Sequence, residues 1–249
     1  MVDFQKLLQW AEVIKTELNK KDKILQEKLE TAFVVEYTHN STAIEGNTLT
    51  LVETKVVLED KLSVPGKELR EIYETVNHEK AYQYVKKLIK EKVPLSMKTV
   101  KDLHEILVQN IFQGGVFRDH NVRITGAGHR PPEPEQMFCD LQKFFADIPL
   151  NNKKMNGLEM AAWLHAELVK IHPFPDGNGR ICRLIMNYQL LASGLFAVSI
   201  NKNDKLDYYQ ALEEYAIKNN LQPFIELVSR CEKERLEELA ADLGVKLND

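Results

Sequence analysis

Apolar residues recur at the three- and four-residue spacing of amphipathic helices along most of the chain. The N-terminal segment is the first example, and one face of it carries Leu7, Leu8, Ala11, Ile14 and Leu18. The same spacing predicts a second helix over residues 23–44, followed by Gly46 in the left-handed conformation of a C-terminal cap. The pattern therefore predicts a mainly helical fold.

Capping signals predict where the later helices begin. Thr50 and Glu53 have the spacing of a capping box, Ser96 can cap a further helix, and Asn156 with Glu159 marks another helix start. The helix after Asn156 should end at His172, because the following proline disfavours helical geometry. Further helices are predicted over residues 67–90, 178–194 and 223–243, and from a cap at Asp204.

One stretch does not fit a helix. Between residues 109 and 134 the chain contains Gly114–Gly115, Gly126 and Pro131–Pro132, all of which break helices. Residues 122–125 (Val-Arg-Ile-Thr) have the composition of one strand of a short hairpin. The predicted fold class is all-α with one small β-hairpin.

Composition excludes several classes of protein. The 249 residues are 44% hydrophobic and 28% charged, as in a globular protein, and the net charge of −4 argues against nucleic-acid binding through a basic surface. The three cysteines are scattered, so neither a disulfide framework nor a zinc site is predicted. No signal-peptide pattern and no apolar run of membrane-spanning length is present, so we expect a cytoplasmic protein with no membrane partner.

The segment between His172 and Arg183 concentrates the candidate chemistry. Gly177, Asn178 and Gly179 lead into a helix whose first N–H groups and dipole favour an anion. Arg180 and Arg183 lie three residues apart, so they share a helix face and can contact the same phosphate group. These residues predict a phosphate site.

Two further side chains complete this segment. Asp176 is a lone carboxylate beside the predicted phosphates, the usual arrangement for Mg²⁺. Histidine side chains ordinarily titrate near neutral pH, so His172 is suited to the role of a general base. Each residue taken singly also has a structural interpretation, such as a helix terminator or a turn, but the pattern fixes eight positions together.

The pattern His172-x-Phe174-x-Asp176-Gly177-Asn178-Gly179-Arg180-x-x-Arg183 resembles the signature of the Fic (Fido) family. The resemblance implies a helical Fic fold and an Mg²⁺-dependent protein adenylyltransferase, which moves AMP from ATP to a Ser, Thr or Tyr hydroxyl of a target protein. It implies that His172 is the catalytic base and that Asp176 binds the metal. Gly177, Asn178, Gly179, Arg180 and Arg183 would bind the nucleotide phosphates.

The resemblance extends to the nucleotide pocket. The segment from Val116 to Pro132 resembles the family's flap hairpin, which implies that Gly126, Ala127, Gly128 and His129 meet ATP. Tyr208 and Tyr209 resemble a pair that packs beside the adenine. The sequence departs from many members at Ala216, where an asparagine is common, so the preference for adenine stays open.

Ser41 to Asn47 resembles the family's inhibitory motif, which implies that Glu45 pairs with Arg183 and represses the enzyme. A motif N-terminal to the catalytic core is typical of the subclass that includes the animal endoplasmic-reticulum Fic protein, here without its membrane anchor and repeats. The predicted regions are residues 1–93 with the inhibitory motif, the catalytic domain over residues 94–232, and a charged C-terminal helix and tail over residues 233–249.

Two interpretations stay open beside the main one. Residues 65–69 resemble the dimer-forming region of this subclass, which implies a homodimer with a contact at Leu69. The alternative functions are removal of AMP from a target, transfer from another nucleotide donor, or a non-catalytic nucleotide sensor that acts as an interaction module. The presence of both His172 and Asp176 favours an enzyme, because a protein that only binds nucleotide needs no base.

Overall fold

The computed structural model describes residues 3–124 and 126–247. Within these residues the helices longer than one turn run in the order α1 (Phe4–Asn19), α2 (Lys23–Ile44), α3 (Leu51–Lys55), α4 (Leu69–Lys90), α5 (Met97–Leu107), α6 (Pro134–Asn151), α7 (Gly157–Ile171), α8 (Asn178–Ala192), α9 (Lys205–Lys218) and α10 (Gln222–Leu243). A π-helical segment over Val56–Asp60 and a short 3₁₀ helix over Lys202–Asp204 complete the helical part. The prediction of a mainly helical protein is confirmed.

Local capping signals predicted most helix starts correctly. Thr50 and Glu53 form a reciprocal capping box at α3, and Asn156 and Glu159 form another at α7. Ser96 accepts a hydrogen bond from the backbone of Thr99 at the start of α5. The expected cap at Asp204 was wrong, because its carboxylate makes no capping bond and instead contacts Arg230 at 3.2 Å.

The fold centres on α7 and α8, which pack against each other through side chains with almost no exposed surface. Leu164 and Leu168 of α7 and Ile181 and Leu184 of α8 belong to one continuous apolar core. The N-terminal helices share this core, since α2 contacts α4 and α8 while α1 packs against α10. The helix α10 is continuous, so the predicted boundary at residue 233 falls inside it.

The predicted β-hairpin was wrong. No residue in the described ranges 3–124 and 126–247 lies in a β-strand, and Thr125 lies outside them. A hairpin needs a ladder of backbone hydrogen bonds to a second strand. Here the backbone N–H of Arg118 donates to Pro173 O at 3.0 Å, and the Arg118 guanidinium donates to the carbonyls of His120 and Pro132. One buried side chain therefore fastens both ends of the segment.

Of the helices built from residues 3–124 and 126–247, none is long and apolar enough to cross a membrane.

Candidate active site

The loop between α7 and α8 is held by its own side chains. His172 ends α7 in the left-handed conformation, with φ 53°, and its N–H donates to Leu168 O at 3.0 Å. Phe174 is fully buried, and both its N–H and its carbonyl are bonded to the amide side chain of Asn178 at 3.0 and 2.8 Å. This pairing within the loop holds His172 and Asp176 at opposite ends of a short, anchored turn.

The geometry of His172 fixes its neutral tautomer. Its Nδ1 lies 3.2 Å from Val169 O, and a carbonyl can only accept, so Nδ1 carries the hydrogen. The Nε2 atom of the neutral ring is therefore free of a proton. Burial lowers the pKa of His172 below its ordinary value, so the neutral form predominates at neutral pH. These two features are what a general base requires.

A carboxylate lies at the N-terminus of α8. Gly177 precedes this helix with φ 80°, and Gly179 lies in its first turn, where backbone N–H groups lack helical partners. A Cβ atom at Gly179 would overlap Glu45 Oε1, so only glycine leaves room for that carboxylate. Glu45 Oε1 also lies 2.7 Å from Arg183 Nη2. Glu45 thus holds a negative charge where the sequence predicted phosphate.

Arg183 is engaged almost entirely by the N-terminal helix α2. Only 1% of its side chain is exposed, and its guanidinium donates to the Ser41 hydroxyl at 3.0 Å and the Ser41 carbonyl at 2.8 Å. A further donor contacts the Tyr208 hydroxyl at 3.0 Å. Burial alone would lower the pKa of Arg183, but Tyr208 and Glu45 raise it overall, so the side chain stays charged. The contact between Glu45 and Arg183 that the family resemblance implies is present.

Arg180 faces a different partner. Its guanidinium is 2% exposed and lies 3.3 Å from Glu74 of α4 and 3.6 Å from Asp176. The two arginines were expected to contact one anion, but here they contact different carboxylates. The reason lies in the tertiary structure, because α2 places Glu45 beside Arg183 and α4 places Glu74 beside Arg180.

Asp176, the predicted metal ligand, is surrounded by groups that favour its ionised form. Partial burial alone would raise its pKa, but Arg180, the Gly177 N–H and Arg70 hold the pKa below its ordinary value. No group of three His, Cys, Asp or Glu side chains that could hold a metal occurs in the described part of the chain. The donor set therefore fits Mg²⁺ only if nucleotide phosphates and water supply the other ligands, which is the usual mode for this ion.

A cavity of about 370 Å³ collects the other predicted residues. Its lining includes Glu45, Gly126, Ala127, His129, His172, Gly179, Tyr208, Tyr209 and Ala216. Gly128 does not line the cavity itself, but its N–H donates to Oε1 of the lining residue Glu213 of α9 at 2.6 Å. The cavity thus extends from His172 to the first turn of α8, while Asp176 and Arg180 contact residues of α4.

Comparison with known proteins shows which family part of this chain resembles. Residues 94–190 match the Fic/DOC family. The protein adenylyltransferase Fic of Drosophila mojavensis is 34% identical over 207 residues, which cover 81% of this chain and 40% of that protein. The chain therefore contains a Fic domain. It spans about two fifths of the length of its curated Drosophila relatives, with 40% and 42% of two of them covered.

Solved structures extend the likeness to almost the whole fold. A Fic-domain signalling protein of Bacteroides thetaiotaomicron superposes with a TM-score of 0.85 at 26% identity, covering 98% of this chain and 99% of that one. Fic-1 of C. elegans superposes with a TM-score of 0.81 at 27% identity, covering 96% of this chain and 72% of the other. The N-terminal helices that carry Glu45 are therefore part of the shared fold.

Two residues that position the loop between α7 and α8 (residues 172–177, the Fic loop) were missed from the sequence. Arg118 donates to His172 O at 2.8 Å, and His104 of α5 stacks on Phe174 with ring centroids 3.8 Å apart. His104 Nδ1 accepts from the Gly115 N–H at 3.0 Å, so its Nε2 carries the hydrogen and donates to Asp176 O at 3.1 Å. Burial lowers the pKa of His104 to about 4. The only available signal was a histidine on the apolar face of a predicted helix, which is more often a core residue.

Substitution of His104 should loosen the Fic loop. His104 has no exposed surface, so His104→Ala loses a stacking contact and two hydrogen bonds and should lower the free energy of unfolding by about 2–4 kcal/mol. The measurement is urea denaturation followed by circular dichroism. His120→Ala is the control, because that side chain is 60% exposed and should change stability by less than about 0.5 kcal/mol. Equal losses for both variants would contradict this structural role.

Proposed function

We propose that this protein is an autoinhibited protein adenylyltransferase, which transfers AMP from ATP to a hydroxyl side chain of a target protein. The observation that carries the proposal is one cavity lined both by His172, whose Nε2 is unprotonated, and by Gly179 in the first turn of α8. The names of the Drosophila relatives support the same activity. A base and a phosphate site in a shared cavity are what in-line transfer of a nucleotidyl group needs.

The proposed reaction begins with ATP in this cavity. The phosphates lie at the N-terminus of α8, where the N–H groups of the first turn and the released guanidinium of Arg183 offset their charge. His172 Nε2 removes the proton of the target hydroxyl as its oxygen attacks the α-phosphorus, and pyrophosphate leaves. Asp176 would hold Mg²⁺, which supplies charge neutralisation at the phosphates when bound. The chain itself contributes orientation and the base.

The resting state follows from the position of Glu45. Its carboxylate lies over Gly179 and bonds to Arg183, so it competes with the outermost phosphate for the same donors. Glu45 keeps 32% of its side chain exposed, which leaves it free to move aside. While Glu45 stays bonded to Arg183, ATP can enter the cavity only in a pose that lacks the Arg183 contact. Productive binding requires Glu45 to move away from Arg183.

The identity of the nucleotide donor depends on the residues of the cavity that contact the base. Ala216 and Tyr209 line the cavity, and Ala216 provides no side-chain hydrogen bond to a base. The direct test incubates the Glu45→Gly variant with each nucleoside triphosphate, labelled at the α-phosphorus. Labelling from ATP alone supports adenylyl transfer, and labelling from another nucleotide reassigns the donor. Binding without any labelling favours the alternative of a nucleotide sensor.

A homodimer through the start of α4 is the second part of the proposal. Leu69 is 65% exposed and Leu62, at the other end of the preceding connection, is 61% exposed. Two large apolar side chains on one short segment are typical of an interaction surface.

Leu69→Asp should therefore convert a dimer into a monomer, because a buried charge without a partner opposes association. The measurement is sedimentation velocity over a range of protein concentrations. Leu150→Asp on α6 is the control, since Leu150 is 53% exposed on another surface and should leave the mass unchanged. An unchanged mass for Leu69→Asp would remove this contact.

A further inference from the structure

A residue outside the Fic loop pairs with Asp176, the carboxylate that we propose as the metal ligand. Arg70, in the first turn of α4, extends its guanidinium to Asp176, with Nη2 2.6 Å from Oδ2. The two residues are 106 positions apart in the sequence, and no pattern in the sequence pointed to Arg70. The contact is a charge-assisted hydrogen bond at short range.

Both oxygens of Asp176 are engaged. Oδ1 accepts from the Gly177 N–H at 2.6 Å and lies 3.6 Å from Arg180, which holds the carboxylate in the loop. Oδ2 is contacted by Arg70, which approaches from outside the loop. A divalent cation that binds Asp176 through Oδ2 would meet the positive charge of Arg70 on that oxygen.

A second carboxylate holds Arg70 in this position. Its Nε donates to Glu74 Oε1 at 3.2 Å, and the same oxygen lies 3.3 Å from Arg180. The other oxygen of Glu74 accepts from Asn47 Nδ2 at 3.2 Å. Arg70 is thus fixed between Glu74 and Asp176, in a network that also includes Asn47, two residues after Glu45.

We propose that Arg70 acts as a stand-in cation at Asp176, which a divalent metal must displace when it binds with the nucleotide. This inference rests on the proposed function, because it assumes that Asp176 is the metal ligand. Mg²⁺ binds oxygen at about 2.0–2.1 Å, and a guanidinium on the same oxygen would repel the cation at short range. Arg70 therefore opposes metal binding and keeps Asp176 paired while no nucleotide is present.

The expected effect is moderate. Arg70 is 53% exposed and Asp176 45% exposed, and exposed ion pairs contribute little net free energy. Loss of Arg70 should strengthen the metal-dependent part of nucleotide binding by roughly two- to fivefold. A direct contact between Arg70 and phosphate has a different signature, because its loss weakens binding with and without metal alike.

The experiment measures ADP binding by isothermal titration calorimetry, once in EDTA and once in saturating Mg²⁺. ADP carries no γ-phosphate, so its binding does not need the Arg183 contact that Glu45 holds, and both affinities in the ratio are measured with the same pairing of Glu45 and Arg183. The quantity compared is the ratio of the two affinities. For Arg70→Gln the ratio should rise roughly two- to fivefold over that of the unmodified chain, whereas an unchanged or smaller ratio overturns the proposal.

Two further variants separate the possible failures. Lys87→Gln, near the other end of α4, removes the same charge from a side chain that is 62% exposed, and should leave the ratio unchanged. An equal rise there would show a general charge effect and overturn the role of Arg70. Asp176→Asn should abolish the Mg²⁺ dependence. If Asp176→Asn keeps the full dependence, the metal role of Asp176 in the proposed function fails, and the stand-in role fails with it.

Discussion

Replacing Glu45 by glycine is expected to raise autoadenylylation on the order of 100-fold. The change frees Arg183 Nη2 from the carboxylate at 2.7 Å and clears the space over Gly179. A single preorganised charged donor at a transition state contributes about 10²–10³ in rate, and Glu45→Gly restores one such donor to the phosphates. The measurement is incorporation of label from α-labelled ATP into the protein itself.

The control for Glu45→Gly must separate release of Arg183 from a weakened helix. Glu27→Gly serves this purpose, because Glu27 is an exposed residue of the same helix α2 and the change lowers helix stability by about 1 kcal/mol. It should leave labelling at the resting level. Equal labelling by the unmodified chain and Glu45→Gly would count against the inhibitory role of Glu45.

In the Glu45→Gly background, His172→Ala is expected to reduce labelling by at least about 10²-fold, the usual contribution of a general base. The Nε2 of His172 is the only ring nitrogen left to accept a proton, because Nδ1 is bonded to Val169 O at 3.2 Å. ADP binding should persist in the double variant, which the same calorimetry can measure. Full labelling without His172 would sink the assignment of the base.

The pH profile distinguishes a base from a histidine that only shapes the loop. Burial lowers the pKa of His172 below 6.5, so the active neutral form appears as pH rises through a midpoint below that value. The charge of Glu45 raises this pKa, so the Glu45→Gly variant should have a midpoint that is lower still. Activity should then be level through neutral pH, and a rise centred above 6.5 would contradict the argument.

Local patterns in the chain predicted the helices and the Fic loop because their causes are local. The capping boxes at Thr50 and Asn156 involve residues three positions apart, and the Asn178 side chain bonds to Phe174 four positions away. Such contacts join residues that are close in the sequence, so local patterns can reveal them. The hairpin prediction failed for the opposite reason, since strand composition alone does not provide a pairing partner.

By itself, the sequence determined the helical class, the loop from His172 to Arg183, and through its motifs the family. The tertiary structure decided which charges meet. Glu45 and Arg183 are 138 residues apart, and Arg70 and Asp176 are 106 apart, so the packing of α2 and α4 against α8 brings these pairs together. The motif at residues 41–47 implied the first pair, whereas no pattern in the sequence indicated the second. The spacing of residues along the chain predicts contacts within one helix. The partner of a buried guanidinium depends instead on helices that are distant in the sequence and pack against it.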